Sequence, residues 1–120
     1  MPESNPSRTE KKLAKLREDY ERSKKEMGGL GYVVSGSFQK RQYSCGKPNC
    51  RCVTEGILHG PYYQWTRKIA GKTVNINVDP ESATMIKDWI KNQRKLRKLC
   101  ARLEKISLAV LKTTKNWEKI

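Results

Sequence analysis

Three cysteines and the single histidine of the chain fall within fifteen positions: Cys45-Gly46-Lys47-Pro48-Asn49-Cys50-Arg51-Cys52, then His59. No other feature constrains the fold as tightly. A tetrahedral zinc ion takes four sulfur or nitrogen ligands, and three cysteines with one histidine is one of its standard structural sets. Gly46, Pro48 and Asn49 are turn formers that let the loop curl and aim its thiols inward. Lys47 and Arg51 lie between the thiols, where positive charge favours the thiolate. The sequence therefore predicts one structural Zn2+ held by Cys45, Cys50, Cys52 and His59. A metal-free redox pair at Cys50 and Cys52, a catalytic Cys–His pair and an iron–sulfur cluster are the competing readings. The second lacks an orienting acid nearby and any nucleophile motif. Closed four-ligand zinc leaves no open position for a water nucleophile, so no catalytic residue is expected and the chain is read as a non-enzyme. Cys100 falls outside the cluster and reads as a buried packing residue of a helix.

The 120 residues are enough for about one small domain. With 36% hydrophobic and 32% charged residues, the core is small and gains from a metal or an oligomer partner. The longest clear apolar run, Leu108-Ala109-Val110-Leu111, is far short of the ~20 residues of a membrane helix. Met1-Pro2-Glu3-Ser4-Asn5-Pro6 shows no basic region leading into an apolar stretch. Clustered cysteines without a secretory leader suit a reducing compartment, so the expectation is cytoplasmic, with no membrane partner.

Net charge is +14, from 26 basic and 12 acidic residues, and it is unevenly spread. Residues 1–27 carry 8 basic and 6 acidic, residues 28–79 carry 7 and 2, and residues 80–120 carry 11 and 4. Excess of that size in the last two segments suggests a polyanion.

Three segments follow. Residues 1–29 form an N-terminal helical arm: Ser7-Arg8-Thr9-Glu10 has capping-box spacing, and the helix should run to Met27 and stop at Gly28-Gly29. Its apolar residues Leu13, Leu16, Tyr20 and Met27 keep a and d spacing with Ser23 in the missing slot, a narrow seam for one partner helix. Residues 30–79 form a zinc-binding β module. A strand is expected from Tyr32 to Phe38, bent at Gly31 and Gly36. Tyr62 to Ile69 and Lys72 to Val78 bracket an Ala70-Gly71 hairpin turn. That turn sets Tyr63 opposite Val78, Trp65 opposite Ile76 and Arg67 opposite Val74, which sorts a nearly continuous apolar set onto one side. Trp65 and Tyr63 are thereby core, and Tyr62 is the aromatic expected at the surface. In residues 80–120, Asp79-Pro80-Glu81 opens one long basic amphipathic helix to residue 112 or beyond. The fold class is α+β: a zinc-stapled antiparallel β-sheet module between two helices. The helices are expected to pack along their seams, within one chain or across a homodimer.

Gly36-Ser37-Phe38, the cysteine loop, His59-Gly60-Pro61-Tyr62-Tyr63-Gln64-Trp65 and Gly71-Lys72-Thr73 together resemble a family of short bacterial proteins of unknown function. Its members carry a CGKPxCxC…HGPY signature and a basic C-terminal helix, and some are associated with mobile genetic elements. The resemblance covers about residues 30–105 and leaves residues 1–29 outside. It implies zinc binding and no known activity.

At 100° per residue, Lys87, Lys91, Arg94, Lys98, Arg102 and Lys105 occupy one ~80° stripe about 27 Å long. Trp89, Leu96, Cys100, Leu103 and Val110 cluster opposite, with Gln93 and Ser107 completing the seam. Solvated helices mix signs because like-charged i,i+4 neighbours repel. Six cations in line gain from phosphates. The expected partner is nucleic acid, DNA or RNA, contacted by the stripe and by Lys40, Arg41, Lys47, Arg51 and Arg67. The alternative is an adaptor whose helical seam docks on a larger nucleic-acid enzyme, such as a transposase or nuclease.

Overall fold

The computed structural model describes residues 7–115. The element order is α1 (Arg8–Gly28), β1 (Ser37–Tyr43), α2 (Arg51–Thr54), β2 (His59–Ile69), β3 (Lys72–Val78) and α3 (Pro80–Lys115). The architecture is α+β, with one three-stranded antiparallel sheet of order β1-β2-β3. No described helix is long and apolar enough to cross a membrane.

Local signals account for the starts of α1 and α3. The Ser7 hydroxyl accepts the Glu10 amide at 3.1 Å, satisfying one of the first-turn N–H groups of α1. The Asp79 carboxylate accepts the Ser82 amide at 3.1 Å ahead of Pro80, which needs no donor there. Bonds from the Ser82 hydroxyl and amide hold the Asp79 carboxyl below its ordinary pKa range.

The hairpin has the expected register: Tyr63 faces Val78, Trp65 faces Ile76 and Arg67 faces Val74. Ala70 (φ 51°) and Gly71 (φ 80°) form the two-residue turn, both left-handed as such a turn requires. β1 differs from expectation. The Tyr32–Val34 stretch is not strand, and pairing starts at Ser37 and continues to Tyr43. The stretch before it has another partner, the helix α3. The Val34 amide donates to the Trp89 carbonyl at 3.3 Å, the Asn92 side chain donates to the Tyr32 carbonyl at 2.9 Å, and the Tyr32 ring lies 5.2 Å from Trp89. Gly36 makes the corner into β1 at φ 122°; a Cβ there would strike the Thr66 carbonyl and lie 2.7 Å from the Trp65 ring nitrogen, which donates to Ser35.

The described residues fall into two compact units. One is Tyr32–Gln93; the other takes in α1 and α3 from Arg94 onward. In the first, the inner sheet face meets the opening turns of α3: Trp65 lines a shallow cavity with Ser82, Met85, Ile86 and Trp89, and Ala83, Ile86 and Ile90 are buried. In the second, α1 and α3 bury Ser23, Leu99 and Ile106. Ser23 is 2% exposed, and its hydroxyl donates back to the Asp19 carbonyl, so the slot that interrupts the apolar seam is the most enclosed point of α1.

The single α3 seam expected from the sequence needs correction. Taking Lys87 as zero, Ala83, Ile86 and Ile90 point to between about −40° and −100°, while Leu99 and Ile106 point to about 100–120°. α3 thus buries different positions in each unit: Ala83, Ile86 and Ile90 in the sheet unit, and Leu99 and Ile106 in the unit it forms with α1. Cys100 is accordingly exposed rather than a packing residue, and Ser107 is exposed as well. The two assignments differ in their consequences. Leu99→Ala should cost about 2–5 kcal/mol in denaturant unfolding, and Cys100→Ala should be close to neutral. Equal effects would show that the seam runs through Cys100.

Candidate metal centre

The ligand atoms of Cys45, Cys50, Cys52 and His59 lie within 4.8 Å of one another. Each arrives from a different piece of local structure. Cys45 follows the end of β1. Cys50 stands at the N-terminal cap of α2, after a turn in which its amide donates to the Lys47 carbonyl at 3.1 Å. Cys52 lies within α2 and is 6% exposed, and His59 is the first residue of β2. Tyr43 pairs with His59 across the β1–β2 ladder after an irregularity at Arg41/Tyr43, so the sheet itself brings the two ends of the loop together.

The donor set fits a tetrahedral metal. Metal–sulfur bonds near 2.3 Å and metal–nitrogen bonds near 2.0–2.1 Å imply ligand–ligand edges of roughly 3.5–3.8 Å. Cys45 and Cys52 sulfurs are 3.4 Å apart, too far for the ~2.05 Å of a disulfide. The Cys50 sulfur is 3.1 Å from Nε2 of His59. The Cys52 sulfur accepts from the Ser44 hydroxyl at 3.4 Å and from the Cys45 amide at 3.3 Å. The Ser44 hydroxyl first, then the Cys45 amide and the neighbouring thiols of Cys45 and Cys50, lower the Cys52 thiol pKa to about 6 against the opposing effect of burial. Cys45 is shifted the other way: a backbone bond at Lys47 favours its thiolate, but burial and the neighbouring thiols Cys52 and Cys50 outweigh it. One sulfur is thus ready to bind a cation as thiolate, while its neighbour gives up its proton less readily.

Two contributors were not read from the sequence. Ser44 precedes the first cysteine and gives no signal of its own. Tyr43 stacks on the His59 ring at a centroid distance of 5.6 Å, a contact visible only once β1 is paired with β2.

The expected phosphate contacts are scattered. Lys40, Arg41 and Lys47 are exposed, and Arg41 donates to the Gln64 side chain at 3.3 Å. Arg51 is engaged by Glu55 at 2.7 Å. Arg67 is half-buried, with its guanidinium over the Trp65 ring at 4.6 Å. On α3, the Lys87 ammonium lies 5.7 Å from the Phe38 ring centre, and Arg102 pairs with Glu26 at 3.5 Å. Lys91, Arg94, Lys98 and Lys105 are exposed and make no ion pair among the described residues.

A family model, Domain of unknown function (DUF6788), matches residues 7–91, and the chain belongs to that family. The match includes α1, which the resemblance drawn from the sequence left outside, and ends within α3. No curated protein and no solved structure matches the chain.

Gly60 follows the ligand His59 within β2. It sits at φ 103°, before a cis peptide bond to Pro61, and a Cβ there would lie 2.6 Å from the Arg41 carbonyl and 2.9 Å from the Tyr62 amide. Both obstacles are backbone and cannot swing away. Gly60→Ala should therefore displace His59, lowering both metal retention during dialysis and thermal stability, whereas Gly56→Ala meets no neighbour, is strained only by its left-handed backbone at φ 69°, and should retain its metal. Equal metal content in the two variants would remove Gly60 from the centre's support.

Proposed function

We propose that the chain is a small zinc-binding protein that binds nucleic acid as an accessory factor, with the metal as scaffold and exposed cations as phosphate contacts. Zinc is the best match to three thiols and one imidazole in a closed tetrahedral set, which also supports a structural role over a catalytic one. The observation that carries nucleic-acid binding is the run of cations Lys91, Arg94, Lys98 and Lys105 on α3, exposed and without an ion pair among the described residues. Arg102 and Lys87, engaged elsewhere, contribute less. Lys40, Arg41 and Lys47 supply further positive charge around the metal centre. Phosphate contacts position a nucleic acid without specifying its sequence.

A second reading has its own observation. An apolar groove of about 500 Å³ runs between α1 and α3, lined by Leu13, Leu16, Tyr20 and Val110, with Arg17 and Glu21 at its margin. It suits an adaptor that docks on a larger nucleic-acid enzyme, or a homodimer formed through the helices. Co-purification of a protein partner that is lost on Leu16→Glu, with oligonucleotide binding absent, would favour this second reading.

Metal content tests the scaffold. Purified protein should carry about one zinc per chain, and Cys50→Ser should lose it and unfold the sheet unit. Structural zinc contributes on the order of 10–16 kcal/mol in small peptides at neutral pH, more than a module this size recovers by burial. Unchanged thermal stability after chelation would sink the assignment.

Salt dependence tests the function. Replacing Lys91, Arg94 and Lys98 together with Gln should weaken binding to any oligonucleotide and reduce the slope of log K against log salt by roughly 2–3. Stability should be at least that of the parent, because mutual repulsion is relieved. Unchanged affinity and slope would leave these cations with a solubilising role only.

A further inference from the structure

One face of the sheet meets the opening turns of α3; the other carries Arg41, Tyr62, Gln64, Thr66, Asn75 and Asn77, of which Gln64 and Thr66 are half-buried and the rest exposed. The three strands together contain five basic residues and no Asp or Glu. At the end of this face nearest the metal centre, a cleft of about 470 Å³ is lined by Arg41, Tyr43, Tyr62, Gln64 and Asn77. That volume lies within the roughly 300–1,000 Å³ range of small-ligand sites.

The chemistry of the cleft is one-sided. Tyr43 and Tyr62 are 45% and 39% exposed, with ring centres 5.7 Å apart. Tyr43 is backed by the His59 ring, so the metal ligand steadies one wall. On the floor, the Gln64 amide is spent twice: its oxygen accepts from Arg41 at 3.3 Å and its nitrogen donates to Asn77 at 3.2 Å. With the Asn77 oxygen and the Gln64 amide occupied, what remains is mostly donors, the Asn77 amide N–H and the other guanidinium N–H groups of Arg41. Exposed aromatic faces, a cation and spare donors without a carboxylate suit a ligand that offers flat rings, acceptor edges and negative charge. Unpaired bases on a phosphate backbone offer all three, and a duplex hides the rings.

We propose that this open sheet face is a platform for single-stranded nucleic acid, with bases stacked on Tyr62 and Tyr43 and a backbone phosphate on Arg41. The proposal rests on the nucleic-acid reading above and names the strand form and the surface. It also gives the zinc a role in recognition, since the ion that fixes His59 fixes the ring behind Tyr43.

The test measures binding of the zinc-loaded full chain to a labelled single-stranded DNA, the same sequence as RNA, and the DNA duplex, across a salt series. Tyr62→Ala should weaken binding to the single strands about 5- to 150-fold, the range for loss of one stacked base, and leave the salt slope and duplex binding unchanged. Tyr62→Trp should retain single-strand binding. Arg41→Gln should reduce the single-strand salt slope by about 0.7. Zinc content and circular dichroism of each variant check that the sheet is intact; Arg41→Gln is a second probe if Tyr62→Ala fails to fold. The ratio of the DNA and RNA affinities identifies the preferred strand. If Tyr62→Ala and Arg41→Gln bind single strands as the parent does, while the triple Gln variant on α3 loses affinity, the platform is overturned and the broader function stands. If the parent binds none of the three probes, both fall.

Discussion

Convergence of four side chains on one point is the constraint on which the sheet unit depends. β2 is the central strand, hydrogen-bonded on both sides, and its first residue is His59. β1 ends two residues before Cys45. A metal held by this set ties the start of the central strand to the end of its neighbour and closes the loop between them. Burial alone offers little for that purpose. The residues of the loop and α2 around the cluster are largely exposed, Val53, Ile57 and Leu58 among them, and Cys52 is the buried exception. In a segment with so little apolar cover, a metal bound by these four residues would supply the order that packing does not.

How far each element was legible depended on whether its signal was local. The hairpin register followed from the period of two, because a slip of one residue would have turned Trp65 and Ile76 to solvent. The capping groups of α1 and α3 were likewise written in a few adjacent residues, as was the cysteine spacing. Failures occurred where a partner distant in sequence decided the outcome. Tyr32–Val34 has the composition of a strand, but the available partner is the backbone and rings of α3, so it docks without joining the sheet. On α3, a helical period finds an apolar face but cannot say that each unit buries its own set of positions. Ile90 is buried in the sheet unit and Leu99 in the helical one. Averaging over the whole helix placed the seam between the two and put Cys100 on it.

The same distinction applies to the basic residues. A stripe of cations drawn on a helical wheel treats them as equivalent, while the structure separates them by what they touch. Arg67 is turned onto Trp65, Arg51 onto Glu55 and Arg102 onto Glu26. These pairs are exposed or half-exposed and contribute modestly to stability. Their effect is to reduce the cations available to a ligand; the proposed function rests on Lys91, Arg94, Lys98 and Lys105, which make no ion pair among the described residues.

β1 and β3 are both edge strands, and each carries an unsatisfied row of backbone groups that could recruit a foreign strand. Neither is a good template. β1 is kinked where its register shifts between Arg41 and Tyr43 and bears adjacent charges at Lys40 and Arg41. β3 is seven residues long, opens on Lys72 and alternates apolar side chains with Thr73, Asn75 and Asn77. Self-association by sheet extension, the route to fibrils, is thus opposed by irregularity and charge at β1 and by the terminal lysine and polar alternation of β3. A sheet that resists growth sideways can leave one broad surface bare at high concentration without polymerising through it.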